Sequence, residues 1–153
     1  MKVVYSNLGS RILIVDDEPD ITLVLKLGLE SNGFVVKTYN DPLKVLSDFK
    51  TDSYDLLLLD IKMPKMNGFE LYNRLQQIDH KVKICFITAF ELNFDEFRRV
   101  FPKLKVECFV RKPVSIDILA KIIKDELGLI SNDDYFWDFI TEGLTWIVKI
   151  VPL

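Results

Sequence analysis

The sequence predicts an open, doubly wound α/β fold with a five-stranded parallel sheet and five helices. Short, nearly continuous apolar segments rich in Val, Ile, Leu and Phe alternate along the chain with segments of helical spacing. With 153 residues, 49% of them hydrophobic, the chain is long enough for one core and too short for a second full domain. We find no internal repeat and no low-complexity linker that would divide it.

Five segments have the composition of strands covered on both faces. In chain order they read "RILIVD", "FVVKTY", "YDLLLLD", "VKICFIT" and "VECFV". Parallel strands buried on both faces favour such runs over strict alternation of apolar and polar residues.

Helices are predicted between these strands from apolar residues three and four apart. The expected bounds are a first helix that ends at Asn32-Gly33, a second from Asp41-Pro42, a third from about Asn67, a fourth over 93–101 and a fifth from Ser115 to about Leu127, stopped by Gly128. The fourth carries a stripe of phenylalanines that we assign to the core: Phe90, Phe94, Phe97 and Phe101.

Charge and targeting signals narrow the function classes. The net charge of −3 and the lack of a long basic run argue against direct nucleic-acid binding, which relies on Lys and Arg neutralising phosphates. No segment has the features of a signal peptide or reaches the roughly 20 apolar residues of a membrane span. A cytoplasmic location is therefore expected.

Cys85 and Cys108 lie in apolar contexts without CxxC spacing, so we expect buried free thiols rather than a zinc site or a disulfide.

Polar residues follow the predicted strands. Asp16 and Asp17 end the first strand, Asp60 the third, Thr88 the fourth and Lys112 the fifth. The carboxyl ends of parallel strands share one edge, where such folds bind ligands. Carboxylates about 4 Å apart repel by roughly 4 kcal/mol at an effective dielectric of 20, so this cluster calls for a cation. Carboxylate oxygens suit Mg²⁺, and the lysine and the threonine hydroxyl suit phosphate oxygens.

Each of these residues also has a simple structural explanation. An aspartate after a strand is often a turn residue, the segment from Asp16 to Pro19 has the composition of a helix cap, and Lys112-Pro113 resembles an ordinary loop. A functional site is favoured because different strands end, in order, in an acidic cluster, an aspartate, a threonine and a lysine.

Four blocks of the sequence resemble response-regulator receiver domains of two-component signalling. They are "ILIVDDEPD", "DLLLLDIKMPKMNGFEL", "ITAF" and "CFVRKPV". The resemblance spans residues 10–128, which we expect to form the receiver domain, and it implies a flavodoxin-like strand order 2-1-3-4-5. It implies that Asp60 is the phosphoacceptor and that Thr88 and Lys112 contact the phosphoryl group. Expected Mg²⁺ ligands are Asp16, Asp17, Asp60 and the backbone carbonyl of Lys62.

The resemblance implies a function in signalling. The chain would accept a phosphoryl group from a sensor histidine kinase or phosphotransfer protein, catalyse its own phosphorylation and dephosphorylation without being an enzyme in the usual sense, and signal to a protein partner. Thr88 and Phe109 would form the switch. At the position of Phe109 many relatives have Tyr. Helix 4, strand 5 and helix 5, or the tail, would support a homodimer. By their positions relative to Asp60 and Thr88, Lys62 and Phe90 would tune dephosphorylation.

Residues 129–153 depart from the family pattern. We expect an amphipathic helical tail, from apolar residues at helical spacing: Phe136, Phe139, Ile140, Leu144, Ile147 and Val151. Packing on the receiver domain or on a second chain is the favoured role, and a membrane-surface segment or a poorly ordered tail are the alternatives.

Two other functions compete with phosphoryl signalling. A haloacid-dehalogenase-like phosphatase also uses an aspartate after a strand, but it carries a second Asp two residues later, where this chain has Lys62. A receiver-like scaffold that acts without phosphorylation is the remaining alternative.

Overall fold

The computed structural model describes residues 9–89, 94–100, 102–103, 108–129 and 147–148. Within these residues strands and helices alternate along the chain. Their bounds are β1 (Arg11–Val15), α1 (Pro19–Glu30), β2 (Val35–Tyr39), α2 (Pro42–Asp48), β3 (Leu56–Asp60), α3 (Gly68–Ile78), β4 (Lys83–Thr88), α4 (Phe94–Val100), β5 (Phe109–Arg111), α5 (Ile116–Glu126) and β6 (Ile147–Val148).

The strands form one sheet in the order β2-β1-β3-β4-β5-β6. β1 to β5 are parallel, which confirms the predicted order 2-1-3-4-5. β6 adds an antiparallel strand at the outer edge of β5. The register sets Leu58 of β3 between Ile14 of β1 and Cys85 of β4, so β3 is the central strand of the parallel part.

The run of four leucines in β3 is buried because it faces helices on both sides of the sheet. Leu57 and Leu59 pack in one core cluster with residues of α2 and α3, whereas Leu56 and Leu58 pack in a second with residues of α1 and α5. All four side chains are fully buried. Burying one leucine contributes about 2 kcal/mol, so this run fixes β3 firmly in the centre of the sheet.

The predicted helix starts are confirmed where a side chain caps the helix. At the starts of α2, α3 and α5, Asp41 accepts from the Leu43 N–H, Asn67 from the Glu70 N–H, and Ser115 from the Ile118 N–H. α1 differs, because its N-cap residue Glu18 makes no side-chain cap bond. The Asp16 side chain accepts from the Glu18 N–H at 2.9 Å, so it shapes the turn that leads into α1 without capping an N–H inside the helix.

The expectation of two free thiols is wrong in this structure. Cys85 and Cys108 are joined by a disulfide, with their Cα atoms 4.7 Å apart. The physical reason is strand register: Phe86 pairs with Phe109, which sets the two cysteines directly opposite each other in neighbouring strands. Their separation of 23 residues in sequence gave no sign of this.

The C-terminal tail is described only at residues 147–148. There the backbone is a strand, not the predicted helix. Ile and Val are β-branched and favour strands, and the edge of β5 supplies a partner. The rest of the predicted tail helix, and Phe90 and Phe101 of the phenylalanine stripe, lie outside the described residues. No helix among the described residues is long and apolar enough to cross a membrane.

Candidate phosphoryl and metal site

Three carboxylates converge at the carboxyl edge of the sheet. Asp16 and Asp17 directly follow β1, and Asp60 is the last residue of the neighbouring strand β3. One oxygen from each carboxylate lies within 4.8 Å of the others. Asp16 is fully buried and Asp60 is 6% exposed. The sequence prediction that these side chains meet at one edge is confirmed.

Lys112 brings a positive charge into this cluster. It follows β5, and its Nζ lies 2.7 Å from Asp16 Oδ2 and 3.6 Å from Asp60 Oδ2. Its backbone N–H donates to the carbonyl oxygen of Thr88 at 2.8 Å. That bond holds the lysine at the end of β4, so Lys112 and Thr88 lie side by side.

Thr88 is the last residue of β4 and is 2% exposed. The preceding residue, Ile87, pairs with Asp60 across the two strands. Behind this position, Phe109 of β5 is buried, with its ring stacked on Phe86 at 5.6 Å between centroids and edge-on to Phe69 at 6.5 Å. Phe109 therefore already lies inward, in the core beside β4.

The electrostatics of the cluster make ionisation of Asp60 less favourable than that of an exposed aspartate in the absence of a cation. Burial raises the pKa of Asp60 to about 6, and the charges of Asp16 and Asp17 act in the same direction. The charge of Lys112 and a hydrogen bond from the Lys62 backbone oppose the rise. For Lys112, burial lowers the pKa, but the hydrogen bond to Asp16 and the nearby carboxylates outweigh it and leave the pKa raised. A divalent cation would relieve the repulsion that Lys112 leaves uncompensated.

The loop after β3 is shaped by one glycine. The Gly68 N–H donates to the carbonyl oxygen of Ile61 at 2.8 Å. A Cβ on this glycine would overlap the backbone carbonyl of Asp60, with the carbonyl carbon at 3.0 Å. A glycine is required here because α3 begins in direct contact with the backbone of the candidate acceptor.

An open cleft of about 610 Å³ gives access to the site. It is lined by Asp17, Glu18, Ile21, Asp60, Lys62, Met63, Pro64, Ala89 and Lys112. Asp60 and Lys112 thus reach the cleft, as does Lys62. Phe90 lies outside the described residues.

Two contacts that support the site were not predicted from the sequence. The side-chain amide of Asn40 donates to the backbone carbonyl of Asp16 at 2.8 Å, which holds the end of β1. Lys65, in the loop after β3, pairs with Asp41 Oδ2 at 3.0 Å. The position of Asn40 immediately after the second predicted strand was the available signal.

A parallel α/β sheet with an acidic cluster and a lysine at its carboxyl edge has the architecture of a receiver domain. The family model described as "Response regulator receiver domain" matches residues 12–124. The chain belongs to this family. Receiver domains bind Mg²⁺ at an acidic pocket, and the three clustered aspartates of this chain have the composition of such a pocket.

Curated relatives of this chain include a transcriptional regulatory protein and a sensor histidine kinase. The alkaline phosphatase synthesis transcriptional regulatory protein PhoP of Bacillus subtilis is 32% identical over 108 residues, 71% of this chain and 44% of that protein. The sensor histidine kinase RcsC of Salmonella typhimurium is 32% identical over 122 residues, 80% of this chain and 13% of that protein. The chain spans less than half the length of these relatives. Because some are transcriptional regulators, the comparison does not support the expected absence of a nucleic-acid role.

Solved structures show the same fold. TrrA from Thermotoga maritima, in complex with Mg²⁺-BeF, is 31% identical with a TM-score of 0.65, covering 76% of this chain and 98% of that one. A CheY-like response regulator receiver domain protein from Methanospirillum hungatei is 27% identical with a TM-score of 0.67, covering 78% of this chain and 94% of that one.

Proposed function

We propose that this chain is a two-component response regulator that accepts a phosphoryl group on Asp60 and signals to a protein partner through a conformational switch. The observation that carries the proposal is the position of Asp60 at the cleft, 3.6 Å from the ammonium of Lys112 and clustered with two further carboxylates. A carboxylate so placed has both a nucleophilic oxygen and a nearby cation to balance the charge of an incoming phosphoryl group.

The transfer begins from a phosphohistidine of a sensor kinase or phosphotransfer protein. An oxygen of Asp60 forms a bond to phosphorus as the phosphorus–nitrogen bond breaks, and the electron pair of that bond stays on the imidazole, which takes up a proton. Lys112 attracts the charged phosphoryl oxygens and aligns them with the nucleophile. The product is an acyl phosphate on Asp60.

The metal implied by this chemistry is Mg²⁺. The residues that would hold it are Asp16, Asp17, Asp60 and the backbone carbonyl of Lys62, which form a set of hard oxygen ligands. Within this cluster Lys112 pairs with Asp16 and Asp60, so one ammonium stands against three carboxylates and the remaining negative charge fits a divalent cation. When bound, Mg²⁺ supplies positive charge that offsets repulsion between the carboxylates and the phosphoryl oxygens.

Signal output would use the ends of β4 and β5. A phosphoryl group carries a charge of about −1.5 to −2 and would attract the hydroxyl of Thr88 and the ammonium of Lys112. Because Lys112 is hydrogen-bonded to Thr88 through its backbone, the two residues would move together. Phe109, packed against Phe86 and Phe69, would adjust to that movement as the apolar part of the switch.

The entrance to the cleft has features that suit a protein donor. α1 starts at the cleft and exposes Leu23, Val24 and Leu27, each more than half exposed. Neighbouring exposed apolar side chains of this kind mark interaction surfaces. We propose that the helix of the donor that carries phosphohistidine packs here, which would bring its imidazole to Asp60.

We propose that the output partner is a protein, that the two proteins meet in the cytoplasm, and that this chain itself does not bind nucleic acid directly. α4, β5 and α5 would form the contact face, with a homodimer as one form of it. Exposed basic side chains on these elements support an acidic partner surface: Arg98, Arg99, Arg111 and Lys121.

Exposure to acetyl phosphate with Mg²⁺, followed by intact-mass measurement, tests the proposal. We expect the parent chain to gain one labile phosphoryl group and Asp60→Asn to gain none, while Asp117→Asn, an exposed substitution on α5, behaves as the parent. Asn is nearly isosteric with Asp but lacks the nucleophilic charge. A parent chain that gains nothing would be a scaffold, and one that turns over the donor without a lasting adduct would be a phosphatase. Equal labelling of Asp60→Asn would assign the acceptor elsewhere.

A further inference from the structure

The outer edge of β5 is paired with a segment of the same chain. β6 runs antiparallel to β5, with Phe109 opposite Val148 and Val110 opposite Ile147. In the five-stranded parallel part of the sheet, β5 would otherwise be an edge strand. Such edges present unpaired N–H and C=O groups that readily pair with another strand, so what covers this edge decides what it binds.

The register identifies which backbone groups face β6. The carbonyl of Cys108 accepts from Phe86 at 2.9 Å, and the N–H of Lys112 donates to Thr88 at 2.8 Å, so both groups point toward β4. Backbone groups of successive strand residues point to opposite sides. The N–H and C=O of Phe109 therefore face β6, and those of its opposite residue, Val148, face Phe109.

The same strand is connected to the candidate acceptor site. β5 leads directly into Lys112, whose ammonium lies between Asp16 and Asp60. The ring of Phe109 stacks on Phe86, two residues before Thr88 in β4. A movement that draws Thr88 and Lys112 toward a phosphoryl group thus acts on the strand that pairs with β6.

We propose that β6 is an intramolecular partner that closes the outer edge of β5, and that phosphorylation of Asp60 weakens this pairing. The pairing stands on the strand register alone. Its linkage to phosphorylation rests on the function proposed above. The C-terminal segment then senses the state of the site through β5, and the edge of the sheet opens when the phosphoryl group is present.

Proline substitutions in the full chain test the pairing. Val148→Pro removes the N–H that faces Phe109, whereas Ile147→Pro removes one that faces away from β5, which edge strands tolerate. Val148→Pro removes the donor to the Phe109 carbonyl, which weakens the β5–β6 pairing by about one hydrogen bond. Because the Phe109 amide exchanges when this pairing opens, we expect its exchange rate to rise about tenfold in Val148→Pro and to stay near the parent rate in Ile147→Pro. The Val110 amide, which faces β4, should keep its protection in all three chains. An unchanged Phe109 rate in Val148→Pro, or equal effects of the two prolines, would overturn the pairing.

The linkage is tested with Mg²⁺ and acetyl phosphate, with intact mass recorded beside hydrogen exchange. We expect the Phe109 amide of the parent to lose protection on phosphorylation and that of Asp60→Asn to be unaffected. Coupling is reciprocal, so Val148→Pro should bind beryllofluoride with Mg²⁺ about fivefold more tightly than the parent. A phosphorylated chain with unchanged Phe109 protection overturns the linkage alone. A chain that gains no phosphoryl group overturns the proposed function and the linkage with it, while the proline pair still decides the pairing.

Discussion

Lys112 pairs with Asp16 more closely than with the candidate acceptor: its Nζ is 2.7 Å from Asp16 Oδ2 and 3.6 Å from Asp60 Oδ2. Asp16 is fully buried, so this bond compensates a carboxylate that has no access to water. Asp60 is left with the weaker share of the lysine charge and with a raised pKa. The arrangement keeps the acceptor at the cleft while the lysine remains within reach of it.

Removing the lysine should destabilise the metal-free chain and disable the response. Lys112→Ala leaves Asp16 buried without a cation, and losing one partner of a buried pair costs about 3 kcal/mol. Mg²⁺ should still bind and should restore much of this loss, since the acidic ligands remain. Denaturant unfolding in EDTA and in Mg²⁺ measures both effects.

Lys65→Ala is the matched control for the lysine deletion. Lys65 pairs with Asp41 in an exposed ion pair, so its removal should cost less than about 1 kcal/mol. Similar losses in the two variants, or a normal conformational response of Lys112→Ala to acetyl phosphate, would contradict the role given to Lys112.

The stability of the metal-free chain should fall as pH rises from about 4 to about 6. The pKa of Asp60 is raised by burial from 3.8 to about 6, so in this window the folded chain holds a proton that the unfolded chain has released. Above about pH 6, the ionised, buried carboxylate lowers the free energy of unfolding by at most about 3 kcal/mol, since one pKa unit corresponds to about 1.4 kcal/mol. Asp60→Asn should therefore gain stability over the parent between pH 4 and pH 8 in EDTA.

Chemical denaturation across this pH range, with Asp117→Asn as an exposed control, measures the difference. Parallel stability curves for the parent and Asp60→Asn would show that Asp60 titrates alike in the folded and unfolded chains.

Gly68→Ala should destabilise the chain although alanine is the better helix former. The added methyl group would overlap the carbonyl of Asp60, and overlap with backbone costs about 3 kcal/mol because neither element yields. Gly128→Ala is the control: its φ of +70 is unfavourable for alanine, but a Cβ there meets nothing within 4 Å, so about 1 kcal/mol is expected. Thermal unfolding compares them, and a Gly68→Ala chain as stable as the parent would contradict the close approach.

The phosphoryl group on Asp60 should last longer than in relatives with small polar residues at positions 62 and 90. Lys62 lines the cleft and is long enough to cover the phosphoryl oxygens, and Phe90 has no group to orient an attacking water. The positive charge of Lys62 could instead stabilise the transition state of hydrolysis. The single variant Lys62→Asn is therefore measured together with Lys62→Asn/Phe90→Gln, to separate the effects of the two residues. Decay followed by intact mass should be faster in the double variant. Equal or slower loss would mean that these side chains do not protect the bond.

Much of the fold could be predicted because it is encoded locally. The run from Leu56 to Leu59 has the apolar continuity of a strand covered on both faces, and each of its side chains is buried. The caps Asp41, Asn67 and Ser115 act through bonds to residues two or three further on. Signals of this range are readable in the sequence without knowledge of the packing.

The candidate site was predictable only as far as strand order allows. That Asp16, Asp17, Asp60 and Lys112 share an edge follows from their places at the ends of parallel strands. Which carboxylate the lysine approaches more closely does not, because Lys112 is 96 residues from Asp16 and the choice depends on how the end of β5 is positioned relative to the end of β1, across β3 and β4.

The sequence by itself determined the alternation of strands and helices, the helix starts and the set of polar residues at the carboxyl edge, because each depends on side-chain pattern and neighbouring backbone. Tertiary structure alone decided the Cys85–Cys108 disulfide and the pairing of β6 with β5. Both arise from strand register, which brings together residues 23 or more positions apart. Register is set by the packing of the whole sheet, so it cannot be predicted from a local pattern of residues.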